Sequence, residues 1–390
     1  MINLTKEEQK ISDKILEIKS RSGTHSPSIF TVAEEVPELK IKIDACFLSN
    51  PYATDLFLEF LSKDLIETNK LRDVLEFYPS QNNIIAEFIS KSINISDKNI
   101  FVGNGAIEII QAVLHRFVKR KIVINIPTFS SYYEFATEST EVIFYQLDKE
   151  DDYKLNIDNY IKFIKETKPD SVVIINPNNP DGGYVSYNDL KYIIENLSEI
   201  ENIIIDESFI HFAYEDSDFK MISASTLFNK FENLIIIKSM SKDFGIAGIR
   251  AGYAIMSESK VRQLLKNGYL WNSSGLSEYF LKLYSREDFF IRYEIVRKNY
   301  ISETLKFIEE LEKVKNIKVY KSKANFVLIE LLDGSTAENF VSKLLIKHGI
   351  YTRIGNDKKG LKGEFIRVAA RKYLDNKVII SSIRELMESD

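Results

Sequence analysis

A lysine, two serines, several glycines and an arginine are gathered in one short stretch, residues 239–253, which reads Ser-Met-Ser-Lys-Asp-Phe-Gly-Ile-Ala-Gly-Ile-Arg-Ala-Gly-Tyr. The amine of Lys242 can form a Schiff base with an aldehyde, while the serine hydroxyls and the guanidinium of Arg250 can hold a phosphate. The stretch therefore suits an anionic aldehyde cofactor. A solvated loop lysine is the alternative interpretation, and it is the one that fits an average lysine of this chain.

The spacing Ser-x-Ser-Lys followed by Gly-x-Arg-x-Gly-Tyr resembles the pyridoxal-phosphate lysine motif of the aspartate aminotransferase superfamily, fold type I. The resemblance implies an α/β enzyme with pyridoxal 5′-phosphate as cofactor and Lys242 as the catalytic residue. It also implies that Ser239, Ser241 and Arg250 bind the cofactor. Because the motif follows an apolar run typical of a central strand, we expect Lys242 near a carboxyl end of the sheet, where ligands bind in open α/β folds.

Two further polar residues match cofactor contacts of this superfamily. Asp206 ends the apolar run 203–205, and the resemblance makes it the anion that keeps the pyridine nitrogen of the cofactor protonated. Asn179, in Asn-Pro-Asn-Asn-Pro-Asp-Gly, resembles the donor to the phenolic oxygen of the ring. Read alone, Asp206 is explained as a helix N-cap and Asn179 as part of a turn.

The segment Gly-Asn-Gly-Ala-Ile-Glu, residues 103–108, lies between a strand-like run and a helical pattern. As a dinucleotide fingerprint it fails, because Glu108 stands where the third glycine belongs. As the N-terminus of a helix it can present backbone N–H groups to one phosphate. The resemblance assigns this phosphate contact to Gly105 and Ala106.

Two aromatic residues complete the resemblance. Phe129, in Pro-Thr-Phe, matches the ring that stacks on the cofactor, although a core phenylalanine explains it almost as well. Tyr78, in Phe-Tyr-Pro, matches the tyrosine that reaches the cofactor phosphate of a neighbouring subunit. The resemblance therefore predicts a homodimer with shared active sites.

Two C-terminal arginines can hold an anionic substrate. Arg367 resembles the substrate-anion arginine of the superfamily, and Arg353 resembles a second arginine of the histidinol-phosphate aminotransferase branch. Two guanidiniums on one ligand suit a phosphate, or a phosphate plus a carboxylate. Asn50 and Tyr52, in Ser-Asn-Pro-Tyr, resemble the element of this branch that lines the substrate site. A surface or interdomain salt bridge is the alternative for each arginine.

One departure from the branch bears on the reaction. Its aminotransferases have Asp-Glu-Ala-Tyr, whose tyrosine donates to the phenolic oxygen of the cofactor, whereas this chain has Phe209 at that position. A phenylalanine there resembles the decarboxylases of the branch, although His211 replaces their acidic residue. We therefore expect a carboxy-lyase that converts O-phospho-L-serine or O-phospho-L-threonine to CO2 and a phospho-amino-alcohol.

Two other functions stay open from the sequence. The first is an aminotransferase acting on a phosphorylated substrate such as histidinol phosphate. The second is a cofactor-binding regulatory module, as in fusions of this fold to DNA-binding domains. It ranks last, because no helix-turn-helix pattern precedes the expected fold.

The pattern of apolar residues predicts the strands and helices that position these residues. Five short runs are apolar on both faces, as central strands of a buried parallel sheet are: 122–126, 172–175, 203–205, 234–237 and 252–255. Helical patterns alternate with them, which indicates an α/β domain. From about residue 277 the pattern changes to long helices followed by strands at 326–331 and 365–369, an α+β unit.

The expected organisation has three parts. An N-terminal segment, 1–48, packs with the small domain; a large pyridoxal-phosphate-binding α/β domain spans 49–275; and a small C-terminal α+β domain spans 276–390. No linker rich in Pro, Gly or Ser separates them, so we expect an extensive interface.

The amino-acid composition limits the classes of molecule that the protein is expected to bind. The 390 residues carry 52 basic and 57 acidic side chains, a net charge of −5 that gives no reason to expect nucleic acid. The apolar runs are far shorter than the ~20 residues that span a bilayer, and the N-terminus does not resemble a signal peptide. Its single cysteine, Cys46, fits a reducing cytoplasm, and the four histidines show no metal-ligand spacing. We expect a cytoplasmic enzyme without a metal, whose partner is a small phosphorylated amino acid.

Overall fold

The N-terminal segment attaches to the C-terminal part of the chain. The structure, a computed structural model, describes residues 4–266 and 268–388. Residues 1–3 of the predicted N-terminal segment and residues 389–390 of the predicted C-terminal domain lie outside the described residues. The segment contains α1 (Lys6–Arg21), α2 (Ile29–Glu35) and β1 (Ile43–Asp44). The short strand β1 pairs in parallel with Ile350–Tyr351. This pairing holds the segment against the region that follows residue 349.

A seven-stranded sheet, ordered β2-β8-β7-β6-β5-β3-β4, forms the centre of the molecule. Its strands are β2 (Ile100–Asn104), β3 (Lys121–Ile126), β4 (Glu141–Gln146), β5 (Ser171–Ile175), β6 (Asn202–Asp206), β7 (Leu234–Ser239) and β8 (Ala251–Ile255). All neighbouring strands are parallel except the two pairs that β8 makes.

The prediction of a strand at 252–255 is confirmed, but its assignment to the parallel set is wrong. The loop 240–250 that connects β7 to β8 contains only a single short helical turn, Ala247–Ile249. A parallel neighbour needs a longer crossover connection, usually a helix, so a loop of this kind returns the chain antiparallel.

Helices cover both faces of this sheet. They are α3 (Pro51–Leu61) with a π-helical turn (Ser62–Ile66), α4 (Leu71–Glu76), α5 (Asn82–Ile93), α6 (Gly105–Phe117), α7 (Ser131–Glu134), α8 (Ile157–Thr167), α9 (Tyr187–Asn196) and α10 (Glu258–Lys266). Successive residues of a strand point into apolar cores on opposite faces of the sheet. On β6, Ile203 and Ile205 pack in one core and Ile204 packs in the other. This is why the strands read as continuous apolar runs.

The rest of the chain builds a second, smaller layer. Its elements are α11 (Gly275–Tyr284), α12 (Glu287–Leu311), β9 (Ile317–Val319), β10 (Phe326–Leu331), α13 (Ala337–His348), β11 (Ile350–Tyr351), β12 (Arg353–Ile354), β13 (Phe365–Ala369) and α14 (Tyr373–Glu388). An antiparallel sheet, β12-β13-β10-β9, packs against these helices around a core of its own. The predicted fold class, α/β with a mostly parallel sheet and a smaller α+β part, is confirmed.

Two helices connect the layers. Phe280 of α11 and Phe289 of α12 pack in the core of the large sheet, whereas Phe307 and Leu311 of α12 pack in the core of the small one. The chain thus passes between cores along α12, and the domain boundary at 275/276 stays a prediction. Within the described ranges, every helix is too short or too polar to cross a membrane.

Candidate active site

A cavity of about 250 Å³ opens at the carboxyl edge of the large sheet. It brings together most of the residues that the sequence singles out: Ala106, Phe129, Asn179, Asp206, Ser239, Ser241, Lys242, Arg250, Arg353 and Arg367. The strand register explains the grouping, because Ile175, Asp206 and Ile237 lie side by side on β5, β6 and β7. Parallel strands end at one edge, so the residues that end or follow them meet there.

Lys242 extends into this cavity from the loop after β7. Burial, together with the nearby Arg367 and Arg250, lowers the pKa of its ammonium to about 8. The loop is held by two backbone bonds to the Lys242 carbonyl, from Asn50 N at 2.9 Å and from Gly245 N at 3.3 Å. An amine whose pKa lies near neutrality is a competent nucleophile toward a carbonyl carbon.

Asp206 supplies a buried carboxylate at the end of β6. Its oxygens accept hydrogen bonds from Tyr132 Oη and from the backbone N–H of Ser208, each at 2.8 Å. Burial raises the pKa of Asp206, with the two hydrogen bonds opposing the rise. A cationic group next to the carboxylate would favour its charged form.

A cradle for an anion lies at the start of α6. Gly105 adopts a left-handed conformation, φ 75°, and a Cβ there would collide with the guanidinium of Arg250. Nη1 of Arg250 donates to the Ala247 carbonyl at 2.9 Å, which fixes the guanidinium against the helix N-terminus. Backbone N–H groups of Gly105 and Ala106 together with Arg250 form a phosphate-binding arrangement.

Arg367 lies elsewhere in the same cavity. Its Nη1 donates to Asn179 Oδ1 at 2.7 Å and its Nη2 to the Cys46 carbonyl at 2.9 Å, while its buried Nε has no hydrogen-bond partner among the described residues. Burial lowers the pKa of Arg367 to about 10.

Arg353 has a carboxylate partner. Its Nη2 bonds Asp357 Oδ1 at 2.8 Å and Oδ2 at 2.6 Å, and the Thr24 carbonyl at 2.6 Å. Its Nη1 is buried and has no partner in the part of the chain that the structure describes. Arg353 thus forms a salt bridge, but a local one with a buried guanidinium and not the surface or interdomain pair considered from the sequence, and Nη1 is left without a protein partner among the described residues.

The sequence matches the family described as aminotransferase class I and II over residues 59–378. The chain belongs to this family. Its membership confirms the resemblance to fold type I pyridoxal-phosphate enzymes that the lysine motif indicated.

Members of the family resemble this chain over its full length. A Campylobacter jejuni protein named L-serine phosphate decarboxylase is 62% identical over 388 residues, 100% of each chain. A protein of the same name from Sulfurospirillum multivorans is 46% identical over 371 residues, 95% of each chain. A solved structure described as a decarboxylase from Sulfurospirillum multivorans matches with a TM-score of 0.95 and 44% identity, covering 98% of each chain.

The protein is an enzyme of this family whose cofactor is pyridoxal 5′-phosphate, and its cavity fits that group. Lys242 offers an amine for the aldehyde, the start of α6 with Arg250 offers donors for the phosphate, and Asp206 offers an anion for the ring nitrogen. Within residues 4–266 and 268–388, no cluster of His, Cys, Asp and Glu is arranged to hold a metal.

Four of the predicted site residues are not among those that line the cavity: Gly105, which lies against the guanidinium of Arg250, and Asn50, Tyr52 and Tyr78. Asn50 caps α3 through bonds to Tyr52 N and Ala53 N, and Tyr52 Oη donates to Glu303 at 2.7 Å, so neither lines the site as expected. The local Asn-Pro turn starts a helix, and that helix turns Tyr52 toward α12. Tyr78 is 81% exposed on the outer surface, where its ring packs against Trp271.

The two residues that depart from the family pattern have different surroundings. Phe209 lines the cavity and packs edge-on against Phe326, so it offers an apolar surface instead of a hydroxyl. His211 is buried outside the cavity, with Nδ1 2.9 Å from Tyr293 Oη and 3.4 Å from Asp243 Oδ2. Burial, with nearby Lys238 and Arg297, lowers its pKa well below the usual value, so His211 is neutral.

Sequence reasoning missed several lining residues. Lys358 and Ser208 are the polar ones with the clearest chemistry, and others come from the N-terminal segment: Thr24, His25, Ser26, Cys46, Phe47 and Leu48. Lys358 stands in the charged run Asn-Asp-Lys-Lys, which is typical of a solvated loop. No local signal distinguishes it from its exposed neighbour Lys359.

Proposed function

We propose that this protein decarboxylates O-phospho-L-serine, giving CO2 and O-phosphoethanolamine. The names of the two relatives that match over nearly the whole chain support decarboxylation of a phosphorylated amino acid. Serine rather than threonine as the parent amino acid is the more specific part of this proposal.

The observation that carries the proposal is the buried guanidinium of Arg367. It lines the cavity and has no carboxylate within ion-pair distance among the described residues. A buried cation without a counter-ion is unfavourable unless a ligand supplies the negative charge. Arg353 lines the same cavity, so a phosphate held by both arginines is the ligand we infer.

Phosphate binding at the arginines sets the orientation of the substrate. If both guanidiniums hold the phosphate, the α-carboxylate is free to leave the plane of the cofactor ring. Pyridoxal phosphate, when bound, withdraws electrons from the substrate Cα. The Asp206 carboxylate would hold a proton on the ring nitrogen, and Phe209 would present an apolar surface to the cavity. The Cα–carboxylate bond would then break and CO2 would leave, while the electron pair of that bond would stay on Cα and take up a proton from the Lys242 ammonium.

Amino transfer to a keto acid is the second candidate, because the family profile is that of aminotransferases. The phenylalanine at position 209 argues against it, since an aminotransferase of this branch uses a tyrosine hydroxyl at that place. Transamination breaks the Cα–H bond and requires an acceptor keto acid, whereas decarboxylation requires none.

The test is to incubate the purified holoenzyme with O-phospho-L-serine, O-phospho-L-threonine or L-serine, each with and without 2-oxoglutarate. We expect CO2 and O-phosphoethanolamine from O-phospho-L-serine in both conditions, slower turnover of O-phospho-L-threonine, and poor turnover of L-serine. Glutamate formed only when 2-oxoglutarate is present, with no CO2, would show that the enzyme is an aminotransferase.

A further inference from the structure

We propose that Lys358 is a phosphate-binding residue that selects phosphorylated over unphosphorylated substrates. The inference rests on the proposed function for the identity of the substrate. It assigns a role to a side chain that no part of the sequence motif includes.

The first observation is the position of Lys358. It lines the cavity and is 6% exposed, and Nζ donates one hydrogen bond, to the Thr24 carbonyl at 3.2 Å. No carboxylate lies within 4 Å of Nζ in the described part of the chain. An ammonium has three donors, so two remain for a ligand.

The second observation is the charge around Lys358. Two cations, Arg353 of β12 and Arg367 of β13, interact electrostatically with its ammonium. The other titratable groups near it are His25 of the N-terminal segment, Glu134 of α7 and the preceding residue, Asp357. Burial lowers the pKa of Lys358 to about 8, and Arg353 adds to this effect. Lys358, Arg353 and Arg367 line the cavity, whereas Asp357 and Glu134 are not among its lining residues. The environment favours binding of an anion.

The third observation is how the cations near Lys358 are paired. Asp357 pairs with Arg353 and also with Lys19 at 2.9 Å. Lys358 and Arg367 have no ion-pair partner among the described residues, and two such cations match the two negative charges of a phosphate monoester.

The experiment compares Lys358→Met, Lys358→Arg and Lys359→Met, the last being the exposed neighbour as control. Each holoenzyme is assayed with O-phospho-L-serine, and inorganic phosphate is titrated into it by calorimetry. We expect Lys358→Met to raise KM and the phosphate Kd tenfold or more, with kcat changed less than about threefold. A tenfold change corresponds to about 1.4 kcal/mol. Lys358→Arg should recover most of the affinity, and Lys359→Met should behave as wild type.

The outcomes separate this inference from the proposed function. If phosphate binds wild type and is lost in Lys358→Met while no variant releases CO2, the Lys358 assignment stands and decarboxylation fails. If Lys358→Met and Lys359→Met have equal KM and equal phosphate Kd, Lys358 does not bind phosphate, whatever the reaction. A loss of kcat and cofactor absorbance with unchanged phosphate affinity would likewise overturn the assignment, because it indicates a structural role.

Discussion

At the residue scale, charge and burial set what each side chain in the cavity can do. Lys242 has a pKa near 8 because burial and two neighbouring arginines disfavour its ammonium form. Asp206 shows the converse, a carboxylate whose pKa burial raises and whose charged form depends on hydrogen bonds and on a cationic neighbour. The two groups are suited to opposite ends of an electron-withdrawing ring.

Replacing Asp206 by Asn tests whether its charge matters. The amide can still accept the Ser208 N–H bond, so folding should be preserved while the anion is lost. We expect kcat to fall by about 10²–10⁴-fold, which is the range typical for the loss of a residue that acts in general acid–base catalysis. The measurement is steady-state kinetics with Tm as the folding control. Activity within a few-fold of wild type would mean that Asp206 serves only as a structural hydrogen-bond acceptor.

The pKa of Lys358, about 8, predicts a dependence on pH. Its charged form binds the phosphate, so kcat/KM should fall as pH rises through about 8. The second ionisation of a phosphate monoester, near pH ~6, is complete by then and does not contribute to this fall. The flanking cation Arg367 keeps its proton in this range, since its pKa remains about 10.

Lys358→Arg is the control for this profile. A guanidinium keeps its charge, so the part of the fall in kcat/KM that comes from Lys358 should be absent from the variant. Ionisation of the amine of the substrate would affect both enzymes equally. Identical profiles for wild type and Lys358→Arg would show that another group titrates.

At the element scale, strand ends and one buried ion pair fix the lysine loop. Lys238, on β7, pairs with Asp243, so the two residues bracket the segment 239–242. Both side chains are buried, and Lys238 Nζ also donates to the Glu207 carbonyl at 3.1 Å. This pair connects the end of β7 to the loop that carries Lys242.

Asp243→Asn should therefore destabilise the protein markedly. It leaves the Lys238 ammonium buried without a counter-ion, a change that costs about 3–5 kcal/mol. Glu201→Gln is the matched control, since it removes an exposed pair with Lys119, which is worth about 0–1 kcal/mol. The measurement is urea and thermal unfolding of the holoenzymes. Equal stability of the two variants would show that the buried pair does not hold the loop.

For the molecule as a whole, the main feature is that three parts of the chain contribute residues to the lining of one cavity. Thr24 comes from the N-terminal segment, Lys242 from the large sheet and Arg367 from the small one. Tyr78 faces outward beside Trp271 and cannot serve the cavity of its own chain from there. We therefore propose that the enzyme is a homodimer in which Tyr78 reaches the cofactor phosphate of the partner subunit.

Mixed dimers test this arrangement. Lys242→Ala should lose the visible absorbance of the bound cofactor and all activity, and Tyr78→Ala should weaken cofactor binding. When subunits are exchanged, each hybrid dimer contains one site with both residues intact, so about a quarter of wild-type activity should return. Light scattering checks the mass. Hybrid dimers that form without any return of activity would exclude a shared site.

The cofactor end of the cavity could be predicted from the sequence. Ser239, Ser241, Lys242 and Arg250 lie within one short stretch, and the resemblance to fold type I enzymes added Asp206, which ends an apolar strand. The apolar runs also determined the α/β class, because strands buried on both faces have no polar alternation.

The place of Lys358 in the cavity could not be predicted from the sequence. Lys358 and Thr24 are far apart in the sequence and meet through the packing of β1 against β11 and of the small sheet against the large one, whereas Arg353 and Arg367 were already candidates. The direction of β8 and the turning of Tyr52 toward Glu303 were likewise decided by connections and packing. A lysine in a charged loop has the same local sequence whether it is solvated or buried. Its burial depends on which distant segment covers it, and that information is absent from the local pattern.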